Sequence, residues 1–102
     1  MSEVSENVFA IRERNLSAVS CDTVLADLAS FLTGECEGGA VLDLTDLGFV
    51  DPYGMAMLCL VGRRLSDRFE KVACRLPEDA KIESYLTRMR VFEELGRYVS
   101  LS

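Results

Sequence analysis

Few residues in this chain are placed to do chemistry, and most of them gather in one stretch, "FVDPYGM", from Phe49 to Met55. There an apolar strand-like run gives way to a helix-like one. Asp51 suits the capping position, because its carboxylate accepts hydrogen bonds from the orphan N–H groups one turn into a helix. Pro52 suits the first helical position, where no N–H is required, and its ring steers Asp51 away from helical backbone. The start of a helix carries roughly half a positive elementary charge, so a bound anion or phosphate would be stabilised on this turn. Asp51 opposes such a ligand by like-charge repulsion, and no Gly-rich phosphate loop accompanies it. A well-capped connection is the simpler reading of these residues alone.

Other chemistry has less to draw on. Asp43, Asp46 and Asp51 are possible acids or bases, but capping and surface roles account for them, and no nucleophile and base stand together. The chain contains no His, which removes the commonest way of activating a nucleophile. Its four cysteines, Cys21, Cys36, Cys59 and Cys74, are too far apart for a CxxC pair. Cys59 and Cys74 fall within apolar runs and read as small core residues. The expectation is a protein with no enzymatic activity, no metal and no cofactor.

Composition narrows the partners. With 49% hydrophobic and 27% charged residues, the 102-residue chain is an ordinary globular domain with one core. The domain is expected to occupy about residues 8–101, with 1–6 flexible. A formal net charge of −6 argues against nucleic acid, whose binding depends on Lys and Arg neutralising phosphates, and against an anionic membrane surface. The nearly apolar run from Met55 to Gly62 is far shorter than the roughly 20 residues that cross a bilayer, and "MSEVSENVF" has neither a basic start nor an apolar signal core. These features point to a cytoplasmic protein with no direct membrane insertion.

The elements that must position the turn follow from hydrophobic spacing. "NVFAIRER" begins as a strand and becomes charged, and "AVSCDTVLADLASFLTG" has Val24, Leu25, Leu28, Phe31 and Leu32 at helical intervals. Ser20 or Asp22 is expected to cap that helix, and Gly34 to end it in a left-handed conformation. "AVLDLT" and "KVACRL" read as central strands covered on both faces. A second helix spans about Pro52 to Asp67. Pro77 opens a third, with Ile82, Tyr85, Leu86 and Met89 as its apolar stripe. "VFEELG" is a short helical turn closed by Gly96, and "RYVSL" a final edge strand. Strands alternating with single helices predict an α/β fold with right-handed crossovers and a mostly parallel sheet.

The second helix has more apolar residues than a surface helix needs. Met55, Leu58, Cys59, Gly62 and Leu65 form one core-facing stripe at i, i+3, i+4, i+7 spacing. Ala56, Met57, Leu60 and Val61 are then left on the other side, followed by Arg63 and Arg64. A small domain has little with which to cover that second side, so it reads as a protein-binding surface with a basic rim. It is also a candidate homodimer surface.

Taken together, "VLDLTDLGFVDPYGMAMLCLVGRRL" resembles the central strand, connecting loop and second helix of a STAS domain, the family typified by bacterial anti-sigma factor antagonists. "LPEDAKIESYLTRMRVFEEL" is similar to that family's next helix and closing turn. The resemblance implies a single STAS-like domain with a mixed, mostly parallel sheet and helices packed mainly on one face. It also implies partner switching. An antagonist binds an anti-sigma factor, a histidine-kinase-like ATPase, which phosphorylates the second Ser of an Asp-Ser-Ser-Gly signature and so ends the complex by adding about −1.5 to −2 of charge. Here the signature is Asp51-Pro52-Tyr53-Gly54, a degenerate phosphoacceptor turn with no Ser. The expectation is therefore a signalling adaptor that keeps the protein–protein interaction and loses the Ser switch. Its contact residues would be Tyr53, Met55, Ala56, Met57, Leu60, Val61 and Arg64. The alternative is a non-switching STAS accessory subunit of a larger assembly, such as an ABC-type lipid transporter.

Overall fold

The computed structural model describes residues 7–34 and 38–101. The expected flexible segment 1–6 and Cys36 lie outside the described residues. The elements run β1 (Asn7–Ala10), β2 (Asn15–Leu16), α1 (Ala18–Leu32), β3 (Ala40–Asp43), β4 (Phe49–Val50), α2 (Pro52–Arg68), β5 (Val72–Arg75), α3 (Ala80–Arg88), α4 (Val91–Leu95) and β6 (Ser100–Leu101). The main sheet has the order β1-β3-β5-β6, and each neighbouring pair is parallel. β2 and β4 form a separate two-stranded parallel ribbon that periodicity did not reveal, since two residues carry no period.

The order explains the layering. Each crossover steps to the next strand in the same direction across the sheet, and right-handed crossovers that never reverse place every helix on one face. Side chains along β5 accordingly alternate, with Val72 and Cys74 buried and Ala73 and Arg75 exposed. Phe9, Leu42 and Cys74 share a register row on the helical side and belong to the core. Val41 is buried too, yet lies outside that core cluster, on the opposite row with Val8 and Ala73. The expectation of strands covered on both faces holds for β3, where Ala40, Val41 and Leu42 are all buried, and is corrected for β5, whose Ala73 and Arg75 are exposed. The core stacks Phe31 between Phe9 and Phe69, with ring centroids 5.3 and 5.7 Å apart.

Several boundaries also move. α1 is capped at Ser17 rather than at Ser20 or Asp22, and Ser20 serves as the third residue of a capping box, its Oγ accepting from the Ser17 N–H at 2.9 Å. Helix α1 ends through right-handed Thr33, and among the described glycines Gly38, not Gly34, has a positive φ, at 86°. Pro77 is buried ahead of α3, which starts after Asp79, whose carboxylate accepts from the Lys81 N–H at 2.9 Å. Ile82 and Leu86 of its stripe are buried, Tyr85 partly so, and Met89 is exposed. α4 ends at Gly96, as its sequence indicates.

Asp43 ends β3 opposite Arg75 of β5. Its Oδ1 accepts from the Thr45 N–H at 3.0 Å and the Thr45 hydroxyl at 2.7 Å, and its Oδ2 lies 3.6 Å from Nη1 of the cross-strand Arg75. Burial disfavours the charged carboxylate, but the Thr45 hydrogen bonds and the Arg75 charge outweigh it and hold the pKa below its usual value. A lowered folded pKa contributes stability that is present above the unfolded value of about 4 and is lost as pH falls through the folded value. Asp43→Asn should therefore reduce the difference in stability between neutral pH and pH about 3, read by urea melts at each pH. An unchanged difference would reject this role for Asp43.

Candidate partner-binding surface

The turn at Asp51 is built as its sequence indicates. Asp51 is the N-cap of α2, with extended backbone (φ −91°, ψ 178°), and its Oδ1 accepts from the Gly54 N–H at 2.8 Å. Pro52 takes the first helical position. The Asp51 N–H donates to the Leu16 carbonyl at 3.1 Å, tying the turn to β2. The carboxylate already occupies the place an external anion would take at this helix start, so the geometry favours the capped connection over a phosphate site. Tyr53 projects outward and is 68% exposed.

Two small residues set the rotation of α2. A Cβ on Gly54 would collide with the Leu16 carbonyl and lie 2.9 Å from Val50 Cγ1, and one on Gly62 would collide with Leu95 Cδ1. Close approaches at these two positions turn the face of Gly54, Met57, Leu58, Val61, Gly62 and Leu65 inward. That stripe is displaced from the one expected. Met57 and Val61, assigned to the outer contact surface, are 7% and 0% exposed and belong to the core. Met55 and Cys59, assigned to the core-facing stripe, are only partly buried at its flanks. The cause is tertiary: α2 packs against both α1 and α4, with Gly62 against Leu95 of α4 and Gly54 against Leu16 of β2 and Val50 of β4.

Between the ends of the helix, the residues left outside are Tyr53, Ala56, Leu60, Arg63, Arg64 and Asp67, all exposed, of which Tyr53, Ala56, Leu60 and Arg64 recur at i, i+3, i+7 and i+11. Leu60 is 37% exposed and stands beside Arg63, Arg64 and Asp67 around a shallow hollow. The row is apolar near the Asp51 turn and charged farther on. Phe49, 54% exposed at the other side of the turn, extends the apolar end. The contact set expected from sequence omits it, although it opens the same stretch, because a strand-like aromatic reads as core. A cleft of about 330 Å³ next to it is walled by Gly48, Phe49, Val50, Lys81, Ile82 and Tyr85.

Among the described residues, two of the carboxylates singled out from the sequence are engaged by their local neighbours. Asp43 is engaged by Thr45 and Arg75, and Asp51 by Gly54. Burial pushes the Cys74 thiol up to about 12, with the Asp43 charge adding to it. Burial likewise raises Cys59, helped by Glu94, and Cys21, helped by Asp51 and Asp22. The raised values hold the thiols of Cys21, Cys59 and Cys74 in the protonated form. Among the described residues no three metal-ligating side chains converge, and no helix is long and apolar enough to cross a membrane.

No family model matches the chain, and neither a curated protein nor a solved structure matches it.

Proposed function

We propose that this protein is a non-enzymatic, protein-binding signalling adaptor of the anti-sigma factor antagonist type, engaging a histidine-kinase-like ATPase or sigma-regulatory partner without a Ser phosphoswitch. The observation that carries the reading is the exposed row Tyr53, Ala56, Leu60 and Arg64, which begins at the degenerate signature turn and runs along α2. Contact rather than chemistry suits it. An aromatic and an aliphatic residue on a rigid helix lose little conformational entropy on binding, and the neighbouring arginines supply a charged rim. Pro52 and Tyr53 leave the turn without a seryl hydroxyl, so regulation by Ser phosphorylation has no acceptor there.

The test is affinity capture from the cell of origin on the immobilised chain, with the bound proteins identified by mass spectrometry. Leu60→Asp is expected to keep its circular dichroism and melting temperature while recovery of a histidine-kinase-like ATPase falls at least tenfold, about 1.4 kcal/mol. Undiminished recovery by the folded variant would reject this surface. Capture of transporter ATPase and permease subunits instead would assign the chain to the accessory-subunit alternative.

A further inference from the structure

Phe49 is 54% exposed and belongs neither to the buried core nor to the partly buried side chains packed on it. What its ring borders is the cleft of about 330 Å³ between β4 and α3. Buried Val50 and Ile82, with the rings of Phe49 and Tyr85, make the cleft apolar, and Lys81 is the charged side chain among its described walls. Lys81 and Tyr85 are four residues apart and rise from one face of α3. A second cation stands close by. The Arg14 side chain lies against Gly48, where a Cβ would be 3.0 Å from its Cγ and 3.1 Å from its Nε. Among the described residues, neither Lys81 nor Arg14 has an ion-pair partner. Asp51 and Asp79, which adjoin the walls in sequence, accept hydrogen bonds from the first turns of α2 and α3, and neither Asp46 nor Glu83 lines the cleft. In a chain of net charge −6 this is an apolar recess of locally positive character. Its walls follow the C-terminal ends of β3 and β5, whereas Asn7, Gly34 and Gly38 lie at the other end of the parallel sheet.

We propose that this cleft binds a small organic monocarboxylate with an apolar body, seated between Phe49 and Tyr85 with its carboxylate at the Lys81 ammonium. The volume falls at the small end of the range for ligand clefts, about 300–1,000 Å³, and apolar and aromatic walls with a few orienting polar groups are their usual make-up. An apolar body in the cleft takes the exposed Phe49 ring out of water, and aromatic rings on two sides favour a flat or branched one. Charge selects the anion. One lining ammonium balances one carboxylate, and Arg14 adds to the positive potential beside it. Inorganic phosphate fits less well, because it has no apolar body and because the Asp51 and Asp79 carboxylates already occupy the starts of α2 and α3. The cleft shares Phe49 with the apolar end of the α2 row, and its ligand does not depend on the function proposed for that row.

Titration of the isotope-labelled full chain with phenylacetate, followed by amide correlation spectra, reads this directly. The amide signals of Gly48, Phe49, Val50, Lys81 and Ile82 are expected to shift together and saturate with a dissociation constant of about 1 mM or below. Phenylethanol, the neutral counterpart, and inorganic phosphate should each bind at least about tenfold more weakly. Lys81→Gln removes the charge from an exposed side chain, should keep the melting temperature, and should weaken phenylacetate at least about tenfold. Lining signals that stay fixed up to about 20 mM phenylacetate would overturn the proposal. So would equal affinity for phenylethanol or phosphate, or undiminished affinity in folded Lys81→Gln. Loss of partner recovery in Lys81→Gln with no response to phenylacetate would assign the cleft to the protein partner and overturn it likewise.

Discussion

Gly54→Ala should destabilise the protein by roughly 3 kcal/mol, the upper end of the range for overpacked sites, and lower its melting temperature by about 12 °C or more. The added methyl group has nowhere to go. It meets the Leu16 carbonyl and the Val50 side chain, and neither can yield alone. Leu16 and Val50 are register partners in the β2–β4 ribbon, and the same Leu16 carbonyl accepts the Asp51 N–H. Moving that carbonyl therefore disturbs the cap of α2 as well. The higher helix propensity of Ala, worth about 1 kcal/mol over Gly, offsets only part of the loss. Gly62→Ala supplies the comparison, since its methyl group collides with the far end of a side chain, Leu95 Cδ1, rather than with backbone. Thermal and urea melts of the two variants should rank Gly54→Ala as clearly the more damaging. An equal or reversed order would show that the ribbon yields readily and that Gly54 does not fix the seat of α2.

Val61→Asp is expected to leave the chain unfolded at 25 °C, whereas Leu60→Asp, one residue earlier, should fold. Val61 has no exposure and sits among the side chains of the core. A carboxylate there must be buried without a partner or be protonated. With the lost apolar packing, the cost is on the order of 4 kcal/mol or more, most of the stability of a small domain. Leu60 already faces water on part of its surface and can carry a charged head outward. Far-ultraviolet circular dichroism and urea melts separate the two. A folded Val61→Asp would return Val61 to the outer surface and reverse the assignment of the α2 faces. The contrast also supports the reading of the partner-capture experiment, because it requires that loss of binding in Leu60→Asp be measured on folded protein.

Much of the fold was legible in the sequence because it rests on local rules. The alternation of strand and helix implied parallel pairing, Asp51 and Pro52 announced the start of α2 to the residue, and Gly96 marked the end of α4. The two-residue strands β2 and β4 were not legible, since their pairing joins residues more than thirty positions apart, Asn15 with Phe49. The cap at Ser17 was missed because Ser17, Ser20 and Asp22 all have capping side chains, and the choice depends on where β2 releases the chain into α1.

The candidate site divides in the same way. Its turn belongs to the sequence: a carboxylate followed by a proline at a helix start has one favourable local arrangement, and the absence of Ser at positions 52 and 53 needs no structure to be seen. Its surface belongs to the tertiary structure. A helix apolar on nearly all sides offers two competing stripes, and periodicity alone ranks them by hydrophobicity. Gly54 against the Leu16 backbone and Gly62 beneath Leu95 made the choice, because a glycine lets a neighbour approach where any side chain would hold it off. That rotation sent Met57 and Val61 into the core and left Tyr53, Ala56, Leu60 and Arg64 outside.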